Sequence, residues 1–290
     1  MKAGSSASAI CYLFENDYEP YSVATRLCRH PSSVEGSPAL NKEEGGALVL
    51  GGTGGIGQAI VRRLAQSWGY IDFTYRSNLG AAQDLVQEVD ALSSVAAHSL
   101  DIADEDALAN IVRLAHERSG GLRAVVFSSG MHIPQTHVSK LLPDQWHIAV
   151  QTELMGFISV VRNVLPVLRE TRGSIVNIGS VAPHWFVVGD ALSAVPKAGS
   201  ETLCRAVAKE EGRFGVRANT VAPGIMAVGI GKELMSTIYS HEIWENSKRN
   251  TPLRRFGSGE DVAGVTAFLC SHEASFITGQ TIIADGGLSL

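Results

Sequence analysis

Short apolar segments alternate with amphipathic segments from residue 47 to residue 290. In the amphipathic segments apolar residues recur every three or four positions, as Ile60, Leu64 and Trp68 do, and this spacing is typical of helices. The predicted strands cover Ala47–Gly51, Tyr70–Tyr75, Val95–Ser99, Ala124–Ser128, Ser174–Ile178, Arg217–Val221 and Thr281–Ala284. The predicted helices cover Gln58–Ser67, Ala81–Leu92, Glu105–Arg118, Pro143–Leu168, Lys197–Arg213 and Glu260–Leu269.

This alternation of strands and helices predicts the fold class. Parallel neighbours in a sheet need a crossover connection, and helices in the crossovers cover both faces of the sheet. We therefore predict an α/β fold over residues 46–290, a single doubly wound, Rossmann-type domain with a parallel seven-stranded sheet and helices on both faces. Residues 1–45 are rich in Ser, Pro and mixed charge. They predict an N-terminal arm, and a cleaved or disordered leader is the alternative.

Composition narrows the class of protein. With 45% hydrophobic and 18% charged residues the chain can bury a core, and a net charge of −5 argues against a nucleic-acid binder. We see no signal-peptide pattern and no apolar run of bilayer length, so we expect a cytoplasmic protein without a membrane segment. Cys11, Cys28, Cys204 and Cys270 lack metal-ligand spacing, and we predict free thiols and no metal site. A Cys11–Cys28 disulfide remains an alternative.

A glycine-rich turn joins the first predicted strand to the first predicted helix. It reads Gly51-Gly52-Thr53-Gly54-Gly55-Ile56-Gly57. Backbone passes close to a pyrophosphate only where side chains are absent, and the N–H groups of a helix start attract an anion. Because of its place between strand and helix, this turn predicts a dinucleotide site rather than a flexible loop. Its expected cofactor contacts are Gly51, Thr53, Gly55, Ile56 and Gly57.

The residues after the second strand indicate which dinucleotide binds. An NAD site usually has a carboxylate there, whereas this chain has Tyr75, Arg76 and Ser77. Arg76 and Ser77 can hydrogen-bond a 2′-phosphate, so the sequence favours NADP(H), with a plain surface arginine as the alternative. Asp101 and Ile102, after the third strand, are predicted to flank the adenine, although Asp101 could equally cap the next helix.

Further motifs follow in a fixed order. They are Ser180 in SIVNIGS, Ser193-Ala194-Val195-Pro196-Lys197, Arg217-Ala218-Asn219, Pro223-Gly224, Ile277-Thr278-Gly279-Gln280 and Asp285-Gly286-Gly287. With the glycine turn, they resemble the short-chain dehydrogenase/reductase family, in the single-domain branch that includes acyl-carrier-protein ketoreductases. The resemblance covers residues 46–290.

The resemblance implies a nicotinamide cofactor and a small-molecule substrate. Ser129, Gly130, Pro223 and Gly224 are then expected beside the cofactor, and Lys197 on the nicotinamide ribose. Residues of about 227–250 are expected to form a substrate lid. The two long predicted helices imply a homodimer or homotetramer, because similar proteins pair them across a two-fold axis.

The same resemblance identifies the expected catalytic groups and two departures. In the family a tyrosine protonates the substrate carbonyl, a lysine lowers the pKa of that phenol, a serine holds the carbonyl, and an asparagine anchors a proton-relay water. Ser180 and Lys197 match the serine and the lysine. Ser193 stands at the tyrosine position and Glu153 at the asparagine position.

Without the phenol, ordinary ketone reduction is expected to lose about 10²–10⁴-fold, the usual contribution of general acid catalysis. A serine hydroxyl is far less acidic than a phenol, and we favour Ser193 as the N-cap of a helix that begins after Pro196. The candidate substitutes are a water, Glu153 and His184. Glu153 would otherwise be a paired structural carboxylate, and His184 a wall of the pocket. His132 and the lid residue Tyr239 are weaker candidates.

Three functions are consistent with this sequence. The first is an NADP(H)-dependent oxidoreductase that reduces a C=O, C=N or C=C bond with a substitute acid. The second is a non-redox isomerase, lyase or cyclase on the same scaffold, and the third is a catalytically silent NADP(H)-binding protein. We favour the first because the phosphate-binding and lysine elements are intact. Aromatic residues such as Trp185 and Phe186 suggest a bulky apolar substrate.

Overall fold

A computed structural model describes residues 42–237 and 241–290. Its centre is a seven-stranded parallel sheet in the order β3-β2-β1-β4-β5-β6-β7, which confirms the predicted doubly wound α/β fold. The strands are β1 (Glu43–Leu50), β2 (Trp68–Tyr75), β3 (Ser94–Ser99), β4 (Leu122–Phe127), β5 (Ser174–Ile178), β6 (Arg217–Pro223) and β7 (Thr281–Ala284). Each coincides with a predicted strand, shifted by a few residues at its ends.

The helices lie in the crossovers, as predicted. They are α1 (Gly55–Ala65), α2 (Leu79–Val89), α3 (Glu105–Ser119), α4 (Pro143–Ala149), α5 (Gly156–Thr171), α6 (Ala191–Glu211), α7 (Gly229–Thr237), α8 (His241–Asn250) and α9 (Gly259–Cys270). A π-helical turn, Val150–Met155, joins α4 to α5 without a break. The predicted helix Pro143–Leu168 is therefore real but contains an irregular turn.

Both faces of the sheet are apolar and covered. Successive residues of a strand point to opposite faces, so Val49 of β1 packs with α1, α2 and α9, whereas Leu48 packs with α3, α5 and α6. Phe127 and Phe157 fill the second layer, with ring centroids 5.0 Å apart. These two layers hold the carboxyl ends of the strands in fixed positions.

One helical stretch corrects a sequence expectation. Pro143–Thr171 is long and apolar enough to cross a membrane by length and composition, although we expected no such stretch. Its residues Phe157, Val160 and Val164 are fully buried in the core against the sheet. Burial in the fold accounts for the apolar character of this face.

The described cysteines are free and buried. Burial raises the pKa of Cys204 and of Cys270 to about 12, so both thiols stay protonated at neutral pH. Cys11 and Cys28 lie outside the described residues, as do nearly all of the predicted N-terminal arm and the lid residue Tyr239. Strand β1 begins at Glu43, just inside the predicted arm.

Candidate active site

The glycine turn lies where the strand order changes direction. The sheet runs from β1 to β2 and β3 on one side and from β1 to β4 on the other. A crevice therefore opens beyond the carboxyl ends of β1 and β4, which is where open α/β sheets bind their ligands. The turn connects β1 to α1 and opens into this crevice.

The start of α1 fits the pyrophosphate of a dinucleotide. Gly54 occupies the N-cap with no side-chain cap, and the first turn has no acidic residue, so no side chain competes for its free N–H groups. Gly51 has a φ of 83°, in the region that favours glycine. A Cβ on Gly57 would lie 2.1 Å from the Gly51 carbonyl oxygen. This packing lets an anion approach the backbone.

The residues that directly follow β2 include a cationic side chain and no carboxylate. Arg76 and Ser77 are exposed and follow Tyr75 at the end of the strand. Asn78 then caps α2, because its Oδ1 accepts a hydrogen bond from the Ala81 N–H at 3.0 Å. The first turn of α2 has no acidic residue. A phosphate at this position would have the Arg76 guanidinium as a partner.

Asp101 does not cap the next helix. The N-cap of α3 is Asp104, whose carboxylate accepts a hydrogen bond from the Ala107 N–H at 2.9 Å. Asp101 accepts one from the Ala103 N–H at 3.1 Å within its own turn. The capping alternative for Asp101 was therefore wrong, because the helix begins three residues later. Ile102 packs on α5, where a Cβ on Gly156 would lie 3.1 Å from its side chain.

A row of close contacts joins the glycine turn to the centre of the cleft. A Cβ on Gly51 would lie 2.8 Å from the backbone nitrogen of Ser129. A Cβ on Gly130, the next residue, would lie 3.5 Å from Oε1 of Glu153. The fold thus brings the predicted cofactor contacts Ser129 and Gly130 between the phosphate turn and the predicted catalytic residues.

The Pro-Gly turn borders the same cleft from the other side. The Val181 N–H donates to the carbonyl oxygen of Pro223 at 2.8 Å, which places this turn beside Ser180. Gly224 is tightly packed, since a Cβ there would lie 2.7 Å from Cβ of Asp285. Ser180 Oγ accepts a hydrogen bond from the Ala182 N–H at 3.1 Å.

Glu153 and Lys197 form a buried ion pair. Lys197 Nζ lies 2.8 Å from Oε2 of Glu153 and donates to the carbonyl oxygen of Ile178 at 3.2 Å. Oε1 of Glu153 accepts a hydrogen bond from the Met131 N–H at 2.8 Å. The two side chains are only 2% and 12% exposed, for Glu153 and Lys197 respectively. Oε1 of Glu153 thus has a backbone donor, and Oε2 has the ammonium group of Lys197 within ion-pair distance.

The irregular turn accounts for the position of Glu153. It lies within the π-helical segment Val150–Met155, and such turns widen a helix locally and often occur at functional sites. Sequence periodicity does not reveal a π-helical turn. The pairing of Glu153 with Lys197 agrees with the structural-carboxylate alternative.

Ser193 is not the N-cap of its helix. Helix α6 begins at Ala191, its N-cap is Asp190, and Pro196 lies inside it. The prediction of a helix start after Pro196 was therefore wrong. Ser193 is partly buried in the first turn of α6, one turn before Lys197.

His184 is held by a buried carboxylate. Its Nε2 lies 3.0 Å from Oε2 of Glu201, which is 3% exposed. Burial raises the pKa of Glu201, and the neighbouring imidazole opposes that rise. Trp185 and Phe186, the next two residues, are exposed. The structure gives His184 a fixed orientation but does not place it against Lys197.

Sequence reasoning missed a further carboxyl group in this region. Asp190 is partly buried, and the Nε2 of Gln135 donates to its Oδ1 at 2.9 Å. Burial raises the pKa of Asp190, and the hydrogen bond from Gln135 opposes the rise. Its spacing of three residues from Ser193 was the only sequence signal, because Gln135 comes from a distant loop.

The described residues place no phenol beside Lys197. Tyr70 and Tyr75 are the two tyrosines within residues 42–237 and 241–290, and both lie on β2. Lys197 contacts the end of β5, three strands away in the sheet. The described neighbours of Lys197 are the Glu153 carboxyl group, the Ile178 carbonyl oxygen and, one turn earlier on α6, Ser193.

The predicted lid begins against the glycine turn. A Cβ on Gly55 would lie 2.4 Å from the backbone nitrogen of Gly229, the first residue of α7. Gly229 has a φ of 54°, which favours glycine at this close approach. Helices α7 and α8 fall within the predicted lid, of which residues 238–240 are not described. Trp244 of α8 packs edge-on against Phe256.

Comparisons with known proteins show which family the chain resembles. A family described as Enoyl-(Acyl carrier protein) reductase matches residues 51–289. The chain is 30% identical over 245 residues to the 3-oxoacyl-[acyl-carrier-protein] reductase FabG of Staphylococcus aureus, covering 83% of this chain and 97% of the relative. It is also 30% identical to the acetoacetyl-CoA reductase of Shinella zoogloeoides, over 83% of this chain and 97% of that protein.

A solved structure of a similar protein has the same fold. A short-chain type dehydrogenase/reductase from Mycobacterium ulcerans superposes with a TM-score of 0.81 at 28% identity. The match covers 86% of this chain and 91% of the other. The similarity therefore extends through the whole sheet and its helices.

Proposed function

The chain belongs to the short-chain dehydrogenase/reductase family, whose matched members here are named oxidoreductases, and from that premise we propose that it is an NADP(H)-dependent reductase with an atypical active site. The uncapped start of α1 at the β1–β4 crevice, joined by contacts to Lys197, carries the proposal. Its substrate is a C=O, C=N or C=C bond in a bulky small molecule, consistent with exposed Trp185 and Phe186 beside the site.

Each residue of the proposed site has its own role in such a reaction. A bound nicotinamide supplies the hydride. The N–H groups of the first turn of α1 bind the pyrophosphate, and Arg76 with Ser77 binds the 2′-phosphate. Lys197 orients the ribose, and Ser180 donates a hydrogen bond to the substrate oxygen. Ser193 stands at the position of the family's tyrosine and is a poor acid for the proton that a ketone needs.

The Glu153–Lys197 pair changes the electrostatics of the proposed site. In the family's arrangement an unpaired lysine cation lowers the pKa of the neighbouring phenol. Here the Glu153 carboxylate offsets the charge of Lys197 across 2.8 Å, and Glu153 stands at the position of the family's asparagine. Lys197 is then best suited to binding and orientation, and the proton must come from another group.

Turnover of NADPH tests the proposal. The full chain is mixed with NADPH and a 3-oxoacyl thioester such as acetoacetyl-CoA, a bulky ketone, an enone or a cyclic iminium ion, and NADPH absorbance is followed. We expect oxidation with at least one substrate, fastest with the iminium ion, which needs hydride but no proton. NADPH binding without turnover of any substrate would contradict a reductase and indicate a binding protein. Substrate conversion without NADPH oxidation would indicate a non-redox enzyme.

Cofactor choice gives a separate prediction. Arg76→Ala should weaken NADPH binding by about 10-fold or more and leave NADH binding nearly unchanged, because a charge-assisted bond to the 2′-phosphate is worth about 1.5–3 kcal/mol. Fluorescence titration with both cofactors measures this. Arg113→Ala, an exposed arginine on α3, is the charge-matched control. Equal losses for the two cofactors would contradict the assignment of NADP(H).

A homodimer or homotetramer is part of the proposal. The stretch from α4 to α6 exposes a set of large apolar residues: Ile148, Met155, Ile158 and Val195. Exposed apolar residues grouped on neighbouring helices favour burial against a second copy. Light scattering at several protein concentrations determines the number of subunits.

A further inference from the structure

The first turn of α6 carries a carboxyl group close to the position that lacks a phenol. Asp190 is the N-cap of α6, but its side chain makes no capping hydrogen bond. Its backbone carbonyl accepts the Ser193 N–H at 3.1 Å, which fixes the two residues one turn apart. Asp190 and Lys197 are seven residues apart, so they lie along the same face of the helix.

The surroundings of Asp190 differ from those of the other carboxyl groups near the site. Glu153 is engaged by Lys197 and by a backbone N–H, and Glu201 is engaged by His184. Asp190 has a neutral amide partner, Gln135, which binds Oδ1. In the described part of the chain Oδ2 of Asp190 has no hydrogen bond, so it is available to a substrate.

The loop that holds Asp190 in place comes from the segment after β4. Residues 131–137 follow the Ser129-Gly130 turn, and the Thr136 N–H donates to the carbonyl oxygen of Gly189 at 2.9 Å. Gly189 has a φ of 92°, and a Cβ there would lie 3.3 Å from the Thr136 nitrogen. The backbone of Gln135 and Thr136 is therefore held against Gly189, and the Gln135 amide orients the carboxyl group.

We propose that Asp190 is the general acid of this enzyme, and that it protonates the substrate oxygen in place of the missing phenol. The inference rests on the proposed reductase function. As the carbonyl carbon accepts hydride from reduced nicotinamide, the π electrons of the C=O bond move to oxygen. The oxygen takes the proton of the Asp190 carboxyl group, whose O–H bond breaks. The products are an alcohol, oxidised nicotinamide and an Asp190 carboxylate, which regains its proton from the solvent.

The electrostatics of Asp190 support this role. Burial raises its pKa, so a larger fraction is protonated near neutral pH than for an exposed aspartate. The adjoining elements carry His132 and His137 on the loop, His184 before α6, and Lys197 on α6. Among the described residues none of these four forms an ion pair or hydrogen bond with the Asp190 carboxyl group, so no charged partner holds it ionised.

The test compares a substrate that needs a proton with one that does not. Asp190→Asn should lower kcat/KM for a ketone by about 10²-fold, the lower end of what general acids supply, because the aspartate reaches less far than a phenol. Reduction of a cyclic iminium ion should change less than threefold, roughly the scatter of such measurements, since no proton is transferred. For the wild type, ketone reduction should fall as pH rises through the raised pKa, and the variant should lose this dependence. Asp144→Asn, an exposed aspartate on α4, is the matched control.

Each other result has a separate meaning. Equal losses for ketone and iminium ion, or no loss, would show that Asp190 is structural or idle and overturn the assignment. The same holds if the wild type reduces the iminium ion but no ketone, while the reductase proposal stands. If the wild type reduces nothing, the proposed function itself fails. NADPH titration and urea unfolding of Asp190→Asn identify a folding defect, and Asp190→Glu, which keeps an acid, should then retain part of the ketone activity.

Discussion

Replacing Ser193 with tyrosine should raise kcat/KM for ketone reduction by about 10²-fold. General acid catalysis is worth about 10²–10⁴-fold, so a phenol at the upper end exceeds a carboxyl group at the lower end by that ratio. The residue lies in the first turn of α6, one turn before Lys197, so a phenol there enters the cleft that Ser180 borders. Stopped-flow NADPH oxidation with a ketone measures the change.

A matched variant distinguishes the effect of the phenol's hydroxyl group from the effect of the size of its ring. Ser193→Phe adds the ring without the proton donor and should not raise the rate. In an Asp190→Asn background Ser193→Tyr should give a larger relative gain, up to about 10⁴-fold, because no other acid competes. If tyrosine and phenylalanine have the same effect, the missing proton donor is not what limits ketone reduction.

Breaking the Glu153–Lys197 pair should destabilise the fold strongly. Removing one partner of a buried ion pair leaves an uncompensated charge and costs about 3–5 kcal/mol. Glu153→Leu leaves Lys197 with the Ile178 carbonyl as its acceptor, and Lys197→Met leaves Glu153 with the Met131 N–H as its donor. Urea unfolding of the two single variants and the double variant measures the free energy of unfolding.

The double variant makes this prediction specific. Glu153→Leu with Lys197→Met removes both charges, so its loss of stability should be smaller than the sum of the two single losses. An exposed pair serves as the control: Glu117→Ala, which breaks the contact with Arg113 on α3, should cost about 0.5 kcal/mol or less. Additive losses in the double variant would show that the two side chains do not interact across the 2.8 Å contact.

The sequence by itself determined the architecture. Alternating apolar and amphipathic segments fixed seven strands and the helices between them, since each pattern has its own period and each parallel crossover needs a helix. The glycine turn at Gly51–Gly57 was equally readable, because its function depends on local backbone geometry within a few residues. Features that depend only on residues close together in the sequence can be predicted from the sequence.

Contacts between residues that are distant in the sequence could not be predicted in this way. Glu153 and Lys197 are 44 residues apart in the sequence and meet only because α5 and α6 pack on the same face of the sheet. The π-helical turn that carries Glu153 has no sequence period. The choice between structural carboxylate and general acid therefore depended on distances that only packing sets.

The start of α6 shows the same difference between local sequence preference and tertiary contacts. Sequence rules favoured a start after Pro196, because proline suits a first helical turn. The helix begins at Ala191 instead, with Asp190 held by Gln135 from the loop after β4. Local preference determined that a helix forms here. Tertiary contacts decided where it starts, because several starts are close in local free energy and burial selects among them.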